Sequence, residues 1–356
     1  MPGWAWAVLL TAAGLVVADR LVARYGRPDG PRRRTVRPAS GGGGPLGELI
    51  ALFQPGMRHL HEESERQRHD LVVPGDADPA WRVDLEAGTA VVPRPMPPDH
   101  TCRLVQVAPT VWTHTAATWS SVSTVVVAPD GTCLVVDPTV TPQDLAALGT
   151  ELALHGWTTV AGFSTHPHWD HVLWSSALGD GPRWATPEAV AVARSTRDTL
   201  VLEAEAVAPG HDHRLTGRLE PLPGDAVPWD GPRAVVLPYP GHCPGSAALL
   251  LPEARVLLAG DAVSDREVPL LAPDATDPVG DYRGTLDLLE RAATGVEVVV
   301  PGHGTACDAA GLRVRLAADR AYLDALEAGD TPPDPRLRDP EQAEVHAEQH
   351  RLLHGG

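Results

Sequence analysis

Between residues 103 and 303 the chain alternates short apolar, β-branched runs with longer stretches of helical period. Strands are expected at 103–108, 111–115, 122–128 and 132–137, the last two joined by the turn signal Pro129-Asp130-Gly131. Residues 141–155 read as a helix with Thr141 as its cap and Gly156 beyond its end. A buried strand at 158–163 leads into a polar loop, after which Val172-Leu173-Trp174 begins a short helical pattern. Helix is expected again at 187–195, then a loop-rich stretch over 201–222 near the mouth of any active site. Three further β-runs end near Leu237, Asp261 and Val300, with amphipathic helices at 282–293 and 310–328. Strands followed by helices, twice over, predict an α+β chain.

The ends follow other patterns. Residues 4–18 are almost wholly apolar, Asp19-Arg20 interrupts them, and Leu21-Val22-Ala23 resumes the run. About 20 apolar residues span a bilayer, so residues 1–25 are expected to form one transmembrane helix with Arg20 snorkelling. No basic residue precedes Trp4, and seven arginines follow the run up to Arg37, which favours a membrane anchor over a cleaved signal peptide. The positive-inside rule then places the N-terminus outside and the rest of the chain in the cytoplasm. Residues 26–95 comprise a flexible linker rich in Arg, Gly and Pro, with the tract Gly41-Gly42-Gly43-Gly44, and a small segment of unassigned role. The folded domain is expected over 96–330, with a polar helical tail over 331–356.

Composition narrows the partners. The 356 residues are 43% hydrophobic, enough for a sizeable core, and carry a net charge of −17 with no lysine at all. A phosphate backbone repels such a chain, so nucleic acid is excluded as a partner. Cys102, Cys133, Cys243 and Cys307 have no disulfide or zinc-ribbon spacing and read as reduced structural thiols.

The chemistry concentrates in Ser164-Thr165-His166-Pro167-His168-Trp169-Asp170-His171. In an extended loop residues two apart point the same way, so His166 and His168 can share one metal. Once the chain turns, Asp170 and His171 point elsewhere and can serve a second. Further donors lie just beyond β-runs: His242 in Pro240-Gly241-His242-Cys243-Pro244-Gly245, Asp261 after Gly260, and His303 in Pro301-Gly302-His303-Gly304. Imidazole with carboxylate suits zinc, with iron or manganese possible.

In this order the donors resemble the HxHxDH, His, Asp, His pattern of the metallo-β-lactamase-fold hydrolase superfamily over roughly residues 101–327. The resemblance implies a four-layer αβ/βα sandwich. It implies that His166, His168 and His242 hold one Zn2+, that Asp170, His171 and His303 hold a second, and that Asp261 bridges them. Two such cations lower the pKa of a bridging water to about 7. The expected reaction is therefore hydrolysis of a small ester, thioester or lactone by a metal-bridged hydroxide, with Asp170 orienting the nucleophile and accepting its proton. Asp261 argues against the classical β-lactamases, which usually lack the bridging Asp, and His168 against the flavin-linked diiron branch. The chain is most similar to the glyoxalase II and acyl-homoserine lactonase group, between which the sequence does not choose. A mononuclear iron persulfide dioxygenase, ligated by His166, His242 and Asp261, is a second implied reading, and a non-catalytic membrane-tethered metal scaffold a third. Residues 1–95 faintly resemble small uncharacterised bacterial membrane proteins. Substrate contacts are expected from Trp169 and from Arg266, within Asp265-Arg266-Glu267. Cys243, His114, Trp112 and Tyr282 are weaker candidates, for which packing is the simpler role.

Overall fold

The computed structural model describes residues 102–355 and two short strands before them, β1 (Arg82–Asp84) and β2 (Thr89–Val91), which pair antiparallel. The expected apolar helix over 1–25, and the linker apart from these strands, fall outside the described residues. The membrane-anchor expectation is corrected here. No helix among the described residues is long and apolar enough to cross a membrane. The run that prompted it also stops at Ala18 before a charged pair, short of the roughly 20 residues a span requires.

Two sheets follow. The first holds β3 (Val105–Ala108), β4 (Val111–Thr115), β5 (Val122–Val127), β6 (Thr132–Val136), β7 (Thr158–Phe163), β8 (Arg183–Ala185) and β9 (Glu220–Pro221) in that spatial order. β3 to β6 run antiparallel, and β6 to β9 run parallel. The second holds β10 (Val235–Pro238), β11 (Ala247–Leu251), β12 (Val256–Gly260) and β13 (Val298–Pro301), with only β12 and β13 parallel. The strand runs expected from β-branched composition are recovered to within two residues at either end, because residues buried on both faces leave a continuous apolar signature.

Period-two alternation sorts the strands' side chains into three cores. Val126, Leu134 and Phe163 point inward and meet Leu249, Leu258 and Val300 of the second sheet. Their neighbours Val125, Cys133 and Val135 point outward onto helices α1 (Pro142–Leu154), α2 (Pro187–Ser195) and α3 (Arg197–Val207). On the far side Ala248, Leu257 and Val299 receive α4 (Pro278–Ala292), α5 (Ala309–Ala328) and α6 (Pro340–His354). Helix, sheet, sheet and helix are therefore stacked, as the four-layer expectation held.

Two local readings differ. The 201–222 stretch opens inside helix α3, whose buried stripe is Leu200, Glu203 and Ala204; a glutamate in the apolar stripe conceals the helical period. The turn after the metal loop is a single 3-10 turn, Trp169–His171, and the chain from Val172 to Trp174 is irregular. Trp174 is held there by its indole N–H, which donates to the Gly179 carbonyl at 2.8 Å. The polar stretch after Pro333 does form helix α6, and Val345 on it joins the core.

Thr186 ties helix α2 to the loop carrying His242. Its hydroxyl accepts from the Ala189 N–H at 3.1 Å, capping the helix, and donates to the Gly245 carbonyl at 2.7 Å. Gly245 is required: its φ is +88°, and a Cβ there would sit 2.3 Å from the Ala189 nitrogen. Thr186→Ala is expected to lower unfolding stability by about 1–2 kcal/mol, since it removes a cap and leaves a buried carbonyl unpaired. Urea unfolding checks this, and a change below a few tenths of a kcal/mol would contradict it.

Candidate metal centre and active site

Parallel pairing sets the site. The C-terminal ends of β6 and β7 lie side by side in one sheet and those of β12 and β13 in the other, so the loops leaving them converge. Backbone hydrogen bonds join the sheets at this end: Ala247 N–H to Thr165 O at 2.9 Å, Val122 N–H to Gly302 O at 2.7 Å, and Gly304 N–H to Ser120 O at 2.9 Å. Non-glycine residues with positive φ gather nearby, including Trp119, Asp137, His242 and Val263. Such backbone persists where the surrounding structure over-determines it.

Seven donors come together in two groups, and Asp261 and His303, one from each, form a third with Glu267. His166, His168, His242 and Asp261 form the first and Asp170, His171 and His303 the second, each with donor atoms within 4.8 Å of one another. His168 Nδ1 lies 3.1 Å from His166 Nε2 and 3.0 Å from His242 Nε2. His171 Nε2 lies 3.2 Å from His303 Nε2, and Asp170 Oδ2 is 3.4 and 3.3 Å from these two nitrogens. Asp261 stands between the groups. Its Oδ2 is 3.3 Å from His166, 3.5 Å from His242 and 3.4 Å from His303, and its Oδ1 is 3.3 Å from His171.

The donor set fits cations. The three imidazole nitrogens of His166, His168 and His242 that face one another, two of them on buried residues, cannot all be satisfied by hydrogen bonds among themselves, and Asp261 Oδ1 and His242 Nδ1 have no hydrogen-bond partner among the described residues. Tautomers are set from behind. Thr165 Oγ1 donates to Asp137 Oδ2 at 2.6 Å, so it accepts from His166 Nδ1–H at 3.0 Å and leaves Nε2 as a lone pair aimed inward. His303 Nδ1–H donates to the Trp119 carbonyl at 3.1 Å, with the same result. His171 Nδ1 lies 3.1 Å from Asp137 Oδ2, so one carboxylate supports a histidine of each group. Gly302 makes room: a Cβ there would come 2.0 Å from Asp261 Oδ1.

Electrostatics agree. Burial and the neighbouring His166 push His168 down to about 3, and burial also depresses His242 well below its usual range. Both imidazoles are therefore neutral, as ligation requires. Burial would raise Asp170 and Asp261, but His171 and His303 hold both carboxyls well below the usual range. In return, and against burial, acidic neighbours including Asp261 raise His171 and His303 well above theirs. Protons occupy the places where metal would bind, so loading should release them.

The cleft beside these donors is about 100 Å³ and open to solvent. Trp169 is fully buried and reaches its wall, edge-to-face with Trp119 at 5.3 Å. Arg266 is exposed and does not line the cleft; its side chain lies towards Gly304. Cys243 stands apart from both donor groups, its thiol pushed up to about 12 by burial. Tyr282 is core, its hydroxyl donating to the Asp261 carbonyl at 3.3 Å. His114 and Trp112 lie on β4 away from the cleft, Trp112 packing on Trp157.

Comparison with known proteins gives the same answer as the geometry. Residues 117–303, more than half of the chain, match the model of the metallo-beta-lactamase superfamily. The chain belongs to that superfamily. Residues 52–92 match a family of unknown function, DUF6191, which bears on the small segment before the fold. This metallo-beta-lactamase superfamily member is 29% identical over 127 residues to hydroxyacylglutathione hydrolase of Brucella ovis and, equally, to that of Brucella canis. The matched stretch is 35% of this chain and only 42% and 41% of those relatives. A beta-lactamase domain protein from Burkholderia ambifaria shares the fold, with a TM-score of 0.53 and 21% identity over 70% of this chain and 88% of that one.

Asp137, Thr165 and Glu203 were not singled out from sequence, and Glu267 was named only within the triplet Asp265-Arg266-Glu267. Asp137 is the last residue of an expected strand, and its φ of 47° is the visible mark of its special position. Glu267 lines the cleft with Oε1 3.4 Å from His303 Nδ1, and burial with Asp261 and Asp170 nearby raises it to about 7. Glu203 lies on α3 and is only 4% exposed; burial, then Asp170, lifts its carboxyl to about 7. Its folded pKa exceeds the unfolded value of about 4.5, so the folded state binds more protons between the two. Stability is thus highest below pH 4.5 on this account and is lost as pH rises through 7. Glu203→Gln should remove that loss. At pH 8.5 the variant is expected to exceed the parent by on the order of 2–3 kcal/mol in urea unfolding, and at pH 5 to match it. Parallel pH profiles for the two proteins would contradict this.

Proposed function

We propose that this protein is a metal-dependent hydrolase that cleaves a small ester, thioester or lactone. The observation that carries the reading is the gathering of seven donors from the loops of both sheets, four of whose imidazoles lie 3.3–3.5 Å from the Asp261 carboxylate, at an open cleft. His166, His168 and His242 would hold one cation and Asp170, His171 and His303 a second, with Asp261 shared between them. Zinc suits this donor set. Bound there, the pair would supply an activated water and polarise an acyl carbonyl.

The protein's own groups do the rest. Asp170 Oδ2 lies between His171 and His303 and faces the cleft, placed to orient the attacking water and accept its proton. Asp137, through Thr165 and against His171, keeps two imidazoles in the ligating tautomer. Trp119 and Trp169 exclude solvent from one side of the cleft. The likeness to hydroxyacylglutathione hydrolases supports acyl cleavage. The presence of Asp170, His171 and His303 beside the first group gives the hydrolase reading an advantage over a mononuclear iron dioxygenase, which has no use for the second set.

Elemental analysis of protein purified without added metal tests the proposal. About two zinc ions per chain, with turnover of simple thioesters or lactones lost on chelation and restored by zinc, is the expected outcome. About one iron per chain with oxygen uptake on persulfides would overturn it.

A further inference from the structure

Two glutamines of α6 hold the loop 262–272 in the same way. Gln342 Oε1 accepts from the Val268 N–H at 2.9 Å, and two helical turns further on Gln349 Oε1 accepts from the Leu271 N–H at 2.6 Å. A backbone N–H can only donate, so it fixes which end of each amide is oxygen and which is nitrogen. The two amides differ in what their nitrogens do. Gln349 Nε2 donates to the Pro269 carbonyl at 3.0 Å and to the Tyr322 hydroxyl oxygen at 2.9 Å, so both of its N–H bonds are used. Among the described residues Gln342 Nε2 has no acceptor, and it is not sealed in the interior.

The two glutamines also differ in place. Gln342 is 8% exposed and lines the cleft from the first turn of α6, whereas Gln349 is buried away from it. Beside Gln342 the cleft wall is aliphatic, formed by Val268, Leu270 and Val345. Most buried polar atoms in proteins are hydrogen-bonded. An amide pinned by its oxygen, with its two donors unspent at the wall of a cleft, is preorganised for an acceptor that arrives from outside.

We infer that Gln342 positions the substrate, its Nε2 donating to an oxygen other than the reacting carbonyl while Val268, Leu270 and Val345 pack the aliphatic chain that bears it. The inference rests on the hydrolase reading and narrows its substrate class to acyl compounds with a second, non-reacting keto or amide oxygen on an aliphatic arm. Such an oxygen replaces the water that otherwise satisfies the amide. A plain alkyl arm displaces that water and leaves the donor unpaired, which weakens its binding.

Hexyl ethyl thioethers, which cannot be hydrolysed, test this by calorimetric titration of the zinc-loaded full chain at pH 8. Three carry a keto oxygen, at the third, fourth or fifth carbon of the hexyl arm, and one carries none. At least one keto ligand is expected to bind the parent about tenfold more tightly than the plain thioether. Gln342→Glu keeps an oxygen on the Val268 N–H but puts an acceptor where the donor was, so the preference should vanish or reverse. Gln342→Met, which loses both bonds at similar volume, should reduce it to below about twofold. Gln349→Met breaks the equivalent tie away from the cleft and should lower Tm while the preference stays near its parental value. No binding of any keto ligand, no preference in the parent, a preference that persists in both Gln342 variants, or one lost equally in Gln349→Met would overturn the inference. Selective binding without turnover of any matching keto thioester would sink the hydrolase reading alone. Turnover whose keto preference is indifferent to Gln342 would sink only this one.

Discussion

On the proposed two-zinc hydrolase reading, Asp261→Asn is expected to reduce zinc content from about two per chain to one or fewer and to slow hydrolysis on the order of 10³-fold, with the fold intact. The substitution keeps the shape that Gly302 accommodates but removes the charge that four imidazoles face at 3.3–3.5 Å. Asp261 is the carboxylate that contacts imidazoles of both donor groups, so losing its charge would leave each short of an anion and their cations less well screened from one another. Removing even one preorganised polar group from an active site slows reactions by about 10²–10³, and an outer-shell partner of a metal ligand changes affinity by about 10–100-fold. A shared ligand should do both. Elemental analysis and kcat measurement on the same sample check the expectation, and full zinc content with near-parental turnover would refute it.

Arg336→Met is expected to destabilise the protein by about 3–5 kcal/mol, the usual effect of removing one partner from a buried ionic group. Arg336 is 8% exposed and binds Asp319 Oδ1 at 2.6 Å, Asp334 Oδ2 at 2.7 Å and the carbonyls of Ser264 and Glu267 at 3.2 and 2.8 Å. Asp319 is 1% exposed, and burial raises its carboxyl to about 6 even beside the guanidinium. Without Arg336 it must ionise unpaired or take up a proton. For a domain of this size each kcal/mol moves Tm by about 2–4 °C, so calorimetry should show a fall of about 6–20 °C. Pairing the change with Asp319→Leu should recover part of it, because a matched apolar replacement leaves no buried charge. A Tm within about 2 °C of the parent for Arg336→Met would count against this assignment.

The donors of the candidate centre were legible because each sits one or a few residues beyond a strand, and strands with two buried faces announce themselves by composition. The order of those donors then carried the family. Groups that act from behind were not legible. Asp137 looks like the end of a strand, and only the parallel pairing of β6 with β7 brings it against Thr165 and His171. Glu203 was hidden by its own charge, which broke the apolar period of α3. One wall of the cleft depends on α6, whose composition is polar almost throughout. It docks through Gln342 and Gln349 side chains and the buried Arg336 nearby, contacts that no hydrophobic pattern encodes. The membrane-anchor expectation rested on hydropathy and on the placement of arginines, and did not survive.

The spread of the donors along the chain also has a consequence during synthesis. His166 to His171 emerge from the ribosome more than a hundred residues before His303, and the strand β13 that positions His303 must first pair with β12. Until β10 to β12 have also emerged, the first sheet presents the face bearing Val126, Leu134 and Phe163 with nothing against it, and Val300 of β13 is the last to cover it. A nascent chain at that stage exposes both an apolar surface and a partial set of imidazoles able to capture a stray cation in an incomplete geometry. Closing the second sheet therefore ends two hazards in a single event, aggregation and mismetallation.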